Sequence, residues 1–202
     1  MMFKKVLVLS PHTDDGELAS GGTIARLVES GAEVIYVAFS APFEWLVTEC
    51  QKATKVLGVK ETLILDHDRR NFPRQRQEIL QDIYDLNERY TPDLVLTPST
   101  SDNHQDHEVI SKESIRIFKS CTLLGYEHPW NLIYFTENCV VPFNQRHLDL
   151  KLKSLMEYRS QQKWPYFKPE LVKASAMRNG GKIKAEYAEV FEVIRFLMRI
   201  EQ

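Results

Sequence analysis

Short runs of apolar residues alternate along the first half of the chain with longer stretches in which apolar positions recur every three or four residues. Val6, Leu7, Val8 and Leu9 form an unbroken apolar run, the pattern of a strand covered by helices on both faces of a parallel sheet. Residues 18–30 read as a helix stopped by Gly31, and residues 33–39 as a second strand rich in β-branched and aromatic side chains. Together they make a βαβ unit. Residues 45–57 read as helical and end at Gly58, residues 62–65 are strand-like, and residues 75–90 carry Ile79, Leu80, Ile83 and Leu86 at helical spacing. Residues 93–97 are again short and apolar and stop at Pro98, after which residues 108–119 resume the helical pattern. This alternation predicts a single-domain, Rossmann-like α/β fold, with a mostly parallel, doubly wound sheet and helices on both faces. Beyond about residue 125 the alternation weakens, leaving residues 132–135 as a candidate strand and residues 148–159 and 188–200 as candidate helices. Neither repeats nor low-complexity linkers interrupt the chain, so residues 1–202 are expected to form one domain.

Composition narrows the picture without changing it. A chain of 202 residues can bury a core without disulfides or a partner subunit, and two full domains would be cramped. The formal charge of -2 argues against a nucleic-acid surface, which usually needs a clustered basic excess. Cys50, Cys121 and Cys139 are odd in number and far apart, so they read as reduced thiols and not as a disulfide framework or a cysteine-zinc site. The apolar run after Lys4 and Lys5 is too short for a signal peptide, and no stretch approaches the roughly 20 apolar residues of a membrane span. A cytoplasmic protein is expected. The sequence does not fix its oligomeric state.

Two polar segments carry the candidate chemistry. Ser10-Pro11-His12-Thr13-Asp14-Asp15-Gly16-Glu17 lies where the first strand gives way to the first helix, at the sheet edge that usually binds ligands in open α/β folds. A plainer reading makes Asp14 and Asp15 helix caps. Asp102-Asn103-His104-Gln105-Asp106-His107 occupies the same kind of edge after residues 93–97; alone it is no more than a polar loop with a histidine pair, but two His/Asp clusters at one edge make coincidence unconvincing. A catalytic zinc takes three protein ligands and keeps a fourth position open for water. His12, Asp15 and His107 supply that count, and Asp14 is the natural general base. Gly16, Gly21 and Gly22 form neither a dinucleotide fingerprint nor a Walker loop.

These residues also carry a family resemblance. Pro11-His12-Thr13-Asp14-Asp15 with Glu17 is similar to the P-H-P-D-D motif of the GlcNAc-phosphatidylinositol deacetylase family, also called LmbE-like. His104-Gln105-Asp106-His107 resembles its H-P-D-H signature, and Tyr187-Ala188-Glu189-Val190-Phe191 resembles a further recurring segment. Thr13 and Gln105 depart from the family's prolines, both at positions that do not bind metal. The resemblance implies a zinc-dependent deacetylase in which His12, Asp15 and His107 hold Zn2+, with ferrous iron an alternative in the cell. It implies Asp14 as general base, His104 as oxyanion stabiliser or proton-transfer partner, and Asp106 as the carboxylate that orients His104. The substrate expected is an N-acetylated amino sugar or its conjugate.

Around that centre, Arg70, or its neighbour Arg69, could reach substrate from the rim. His67 would fill the position a catalytic zinc keeps open, and His128 and His147 lack paired spacing; all three are left out of the site. Trp164, Tyr166 and Phe167 form either a sugar-stacking wall or a packed late loop. Two rival functions stand beside the deacetylase: a metal- or sugar-binding module without catalysis, and a nucleotide-binding α/β protein.

Overall fold

The computed structural model describes residues 3–198, and in it the apolar run after Lys5 becomes an interior strand of a seven-stranded sheet. β1 (Lys5–Ser10) pairs in parallel with β2 (Glu33–Ala38) on one side and β4 (Leu94–Pro98) on the other. β3 (Glu61–Ile64) extends the first side and β5 (Thr122–Tyr126) the second, again in parallel. The chain thus winds outward from β1 in one direction, returns, and winds outward in the other. The two halves part between β1 and β4. A crevice opens at the carboxyl ends of strands at such a reversal.

Both faces of the sheet are covered, as the unbroken apolar runs require. Val6 and Val8 enter a core shared with α1 (Asp15–Glu29), α2 (Glu44–Leu57) and α5 (Gln145–Met156). Leu7 and Leu9 enter the opposite core, against α3 (Arg76–Tyr90) and α4 (Gln105–Ile117). Gly58 ends α2 with φ +78°, a left-handed conformation that costs glycine little.

The second half departs from the pattern read in the sequence. Residues 187–195, expected as part of a helix over 188–200, form β7 (Tyr187–Arg195), which runs antiparallel between β5 and β6 (Cys139–Phe143). Two strand neighbours satisfy its backbone, and Val190, Phe191 and Val193 suit a strand better than a helix. Ile200 lies outside the described residues. Residues 132–135 form no strand, and Ile133 and Tyr134 are exposed. α6 (Pro169–Gly181), packed on β7, was not anticipated. No described helix is long and apolar enough to cross a membrane.

Within α1 the backbone breaks at Ser20 (φ −133°, ψ 20°). The break frees main-chain amides that a continuous helix would use. Glu189 of β7 accepts them, from Gly22 at 3.0 Å and Thr23 at 2.7 Å, and Lys151 of α5 balances its charge at 2.6 Å. All of this is buried. A carboxylate on freed helix amides is a cap supplied from another part of the chain.

Close packing at the start of α1 gives a stability prediction. A β-carbon on Gly16 would stand 2.5 Å from the Tyr36 ring and 2.8 Å from Val8, whereas one on Gly181 would meet nothing within 4 Å. Gly16→Ala should therefore cost about 1–3 kcal/mol, the usual overpacking range. Gly181→Ala should be neutral or stabilise by up to about 1 kcal/mol. Thermal unfolding of the two variants checks the contrast.

Candidate active site

β1 delivers the first cluster. Its last residue, Ser10, accepts the Gly16 N–H at 3.0 Å, and Tyr36 of β2 reaches the Thr13 carbonyl at 3.0 Å. Tyr158 donates to the same carbonyl, and its hydroxyl lies 2.9 Å from Glu17. Burial drives the Glu17 carboxyl up to about 8 against the pull of the Tyr36 and Tyr158 hydroxyls. Fixed from behind in this way, the loop presents His12, Asp14 and Asp15 to the crevice.

The capping interpretation of the two carboxylates fails. Asp14 occupies the N-cap position of α1 but makes no capping hydrogen bond with its side chain. Asp15 turns back instead, accepting the His12 main-chain N–H at 2.8 Å. The same Oδ2 lies 3.1 Å from His12 Nδ1 and 3.2 Å from His107 Nε2. Two imidazole nitrogens, one from each sequence motif, thus approach one carboxylate oxygen, and the described groups close enough to hold one ion are His12, His104 and His107, and Asp15, His107 and His128.

β4 and α4 deliver the second cluster. His104 caps α4, its Nδ1 taking the Asp106 N–H at 3.2 Å, and His107 follows in the first turn. Each converging imidazole has its far nitrogen on a carboxylate: His107 Nδ1 on Asp102 at 2.8 Å, and His12 Nε2 on Asp106 at 3.0 Å. A chain of alternating carboxylate and imidazole therefore runs Asp102, His107, Asp15, His12, Asp106. This corrects the expectation that Asp106 orients His104. The Asp106 carboxylate is occupied by His12 and by the main-chain amides of Arg70 (2.6 Å) and Phe72 (3.3 Å), and only its backbone serves His104.

The electrostatics follow from that chain. Burial alone would lower both imidazoles, yet Asp15 and Asp106 lift His12 to about 9, and Asp15 and Asp102 lift His107 to about 10. Asp15 goes the other way: burial raises it, but His107 and His12 hold it well below the usual carboxylate range. Asp14 lacks such partners, so burial and the neighbouring Asp15 push it up to about 7. His104 falls to about 4 through burial and the nearby His107 and His12. It is neutral at pH 7, and since Nδ1 accepts a hydrogen bond, its proton sits on Nε2.

Asp14, His104, Arg69 and Arg70 line one cleft with these ligand atoms. Arg70 has φ +70°, a left-handed conformation costing about 1–3 kcal/mol outside glycine, and the hydrogen bond its main-chain N–H donates to Asp106 holds it there. Trp130, Tyr166 and Trp164 stack along the rim, with ring centroids 4.3 Å and 6.1 Å apart. Phe167 packs into the core instead. His67 pairs with Asp82 at 2.6 Å, and His147 accepts the N–H of Asn144, the N-cap of α5, and bonds Glu29 at 2.8 Å.

Two residues near the centre escaped sequence reasoning. Asp102 stood in the quoted motif without a role; its spacing of five from His107 was the available signal. His128 was set aside, but it is fully buried and its Nε2 lies 3.3 Å from Asp15 Oδ1. It lies two residues past the end of β5, a strand not read from the sequence, so its place at the same sheet edge is hidden there.

Comparison with known proteins shows a likeness to deacetylases. Residues 44–118, which hold the second motif, match the family model described as PIG-L, GlcNAc-PI de-N-acetylase. The chain is 26% identical to the diacetylchitobiose deacetylase of Thermococcus kodakarensis, over 92% of this chain and 81% of that protein. It is 25% identical to the uncharacterized deacetylase YaiS of Escherichia coli, over 78% of this chain and 91% of that one. The solved N,N'-diacetylchitobiose deacetylase of Pyrococcus horikoshii shares the fold, with a TM-score of 0.78 and 24% identity over 95% of this chain and 84% of that chain. In its motifs, relatives and fold the chain is similar to the GlcNAc-PI de-N-acetylase (PIG-L, LmbE-like) family of deacetylases.

Proposed function

We propose that the chain is a zinc-dependent hydrolase that removes the N-acetyl group from an N-acetylated amino sugar or its conjugate. The observation that carries this reading is the approach of His12 Nδ1 and His107 Nε2 to Asp15 Oδ2, beside Asp14 in one cleft. The donor set fits the metal. Two imidazoles and a carboxylate are borderline ligands suited to zinc or ferrous iron, and carboxylates on the far nitrogens of both rings are the usual support for metal-bound histidine. Bound there, the ion would polarise the amide carbonyl and bring the pKa of a water toward about 7.

The chain's own residues then divide the work. Asp14, unpaired and raised toward neutrality, takes a proton from the attacking water. His104, neutral with a proton on Nε2, donates a hydrogen bond to the oxyanion that forms as the carbonyl carbon becomes tetrahedral. Asp14 then returns its proton to the departing nitrogen as the C–N bond breaks, leaving acetate and a primary amine. Arg70 at the rim, and the stacked Trp130, Tyr166 and Trp164, are proposed to hold the sugar's hydroxyls and apolar face. Relatives whose names identify diacetylchitobiose as substrate support the amino-sugar assignment.

Three outcomes test the proposal. Without metal His12 and His107, raised to about 9 and about 10, are imidazolium at pH 7, so zinc binding should release protons. Calorimetric titration in buffers of different ionisation enthalpy measures this, and His107→Ala should bind little zinc. Asp14→Asn should keep its zinc and lose about 10²–10⁴-fold in kcat. His104→Ala should likewise keep zinc and lower kcat more than it raises KM; near-normal kcat in either variant would sink its assigned role. Mass spectrometry of a reaction with N-acetylated chitobiose should show an acetyl loss for each amine gained and an intact glycosidic bond. Shortened sugars that keep their acetyl groups would instead mean a glycosidase.

A further inference from the structure

His128 has no part in the chemistry above, yet it is fully buried directly behind the converging ligand atoms. Its ring lies edge-on to Tyr126, with centroids 5.3 Å apart, and tilts against His107 at 5.3 Å and Trp130 at 5.0 Å. Neither ring nitrogen has a hydrogen-bond partner of good geometry. A buried imidazole in that state costs free energy that a phenylalanine of similar volume would not. The acceptor facing it is Asp15 Oδ1, 3.3 Å from Nε2.

The two oxygens of Asp15 are thereby given different surroundings. Oδ2 receives the His12 amide and faces His12 Nδ1 and His107 Nε2, while Oδ1 faces His128. A carboxylate only accepts hydrogen bonds, so toward Asp15 the His128 proton sits on Nε2. We propose that His128 is a positioning residue whose Nε2–H holds Asp15 by Oδ1 and keeps Oδ2 turned toward His12 and His107. This rests on the metal-binding role proposed for those three residues. It adds an outer hydrogen bond to the one ligand that is not a histidine, a position at which such partners commonly set metal affinity.

The test compares variants that keep or remove a donor at that place. His128→Phe fills the volume without a nitrogen, and His128→Gln sets an amide N–H near the Nε2 position. Each purified protein is stripped of metal and titrated with Zn2+ against a chromophoric chelator, with thermal unfolding measured alongside. His128→Phe should bind Zn2+ about 10–100-fold more weakly than the wild type, and His128→Gln should stay within about threefold. If His128→Phe does not fold, His128→Asn replaces it; its shorter amide reaches only the Nδ1 position, so it should show the same loss. Wild-type affinity in the donor-free variant overturns the inference. So does an equal loss in both variants, which would make His128 a ligand or a packing residue. A wild-type protein that binds no Zn2+ overturns the metal reading as well, whereas tight wild-type binding with no difference between variants overturns this inference alone.

Discussion

Asp15 is an ionised carboxylate held almost out of reach of water, and such a group persists only where donors and positive charge surround it. His12 and His107 provide both. Each imidazole, drawn into the same dry surroundings, then requires an acceptor on its other side, and Asp106 and Asp102 supply them. The requirement propagates outward: Asp106 also accepts two amides from the loop after β3, and Asp102 accepts the amide of His104 at 2.9 Å. Three loops from distant parts of the sequence are registered by one string of alternating charge. Removing an interior member would leave its neighbours buried and uncompensated, a loss of about 3–5 kcal/mol in comparable buried pairs.

The sheet makes this string geometrically available. Because the chain reverses direction of winding between β1 and β4, the segments leaving these two strands face each other at the crevice and meet there through their side chains. Asp14 and Asp15, adjacent in sequence, meet opposite environments there. One is neutralised by imidazoles, and the other feels burial and a like charge. Two carboxylates whose affinities for protons are driven apart are suited to different tasks, and the separation arises from a single residue step at the start of α1.

The alternating half of the fold was legible because its signals are local. Short apolar runs, Gly31, Gly58 and the periodic spacing of Ile79, Ile83 and Leu86 each report on neighbouring residues alone. The two metal-like motifs were legible for the same reason. What escaped is long-range. β7 reads as a helix until β5 and β6 are known to flank it, and His128 reads as an isolated histidine until β5 is recognised as a strand ending at the shared edge. Asp106 was assigned to its near neighbour His104, whereas the folded chain offers it His12, 94 positions away. Proximity along the sequence is a poor guide to which carboxylate serves which imidazole.

The cap that Glu189 places on the broken helix α1 has a consequence for the order of events during synthesis. Gly22 obtains its acceptor from a residue 167 positions later. A ribosome releases the chain from its N-terminus, so β1 and the loop bearing His12 and Asp15 emerge long before that acceptor exists. Until β7 arrives, the freed amides of α1 have only solvent, and the helix that follows the His12 and Asp15 loop lacks its closing contact. Long-range closures of this kind form late and slowly. The nascent chain thus carries the His12 and Asp15 motif long before the last contact of the helix that follows it can form.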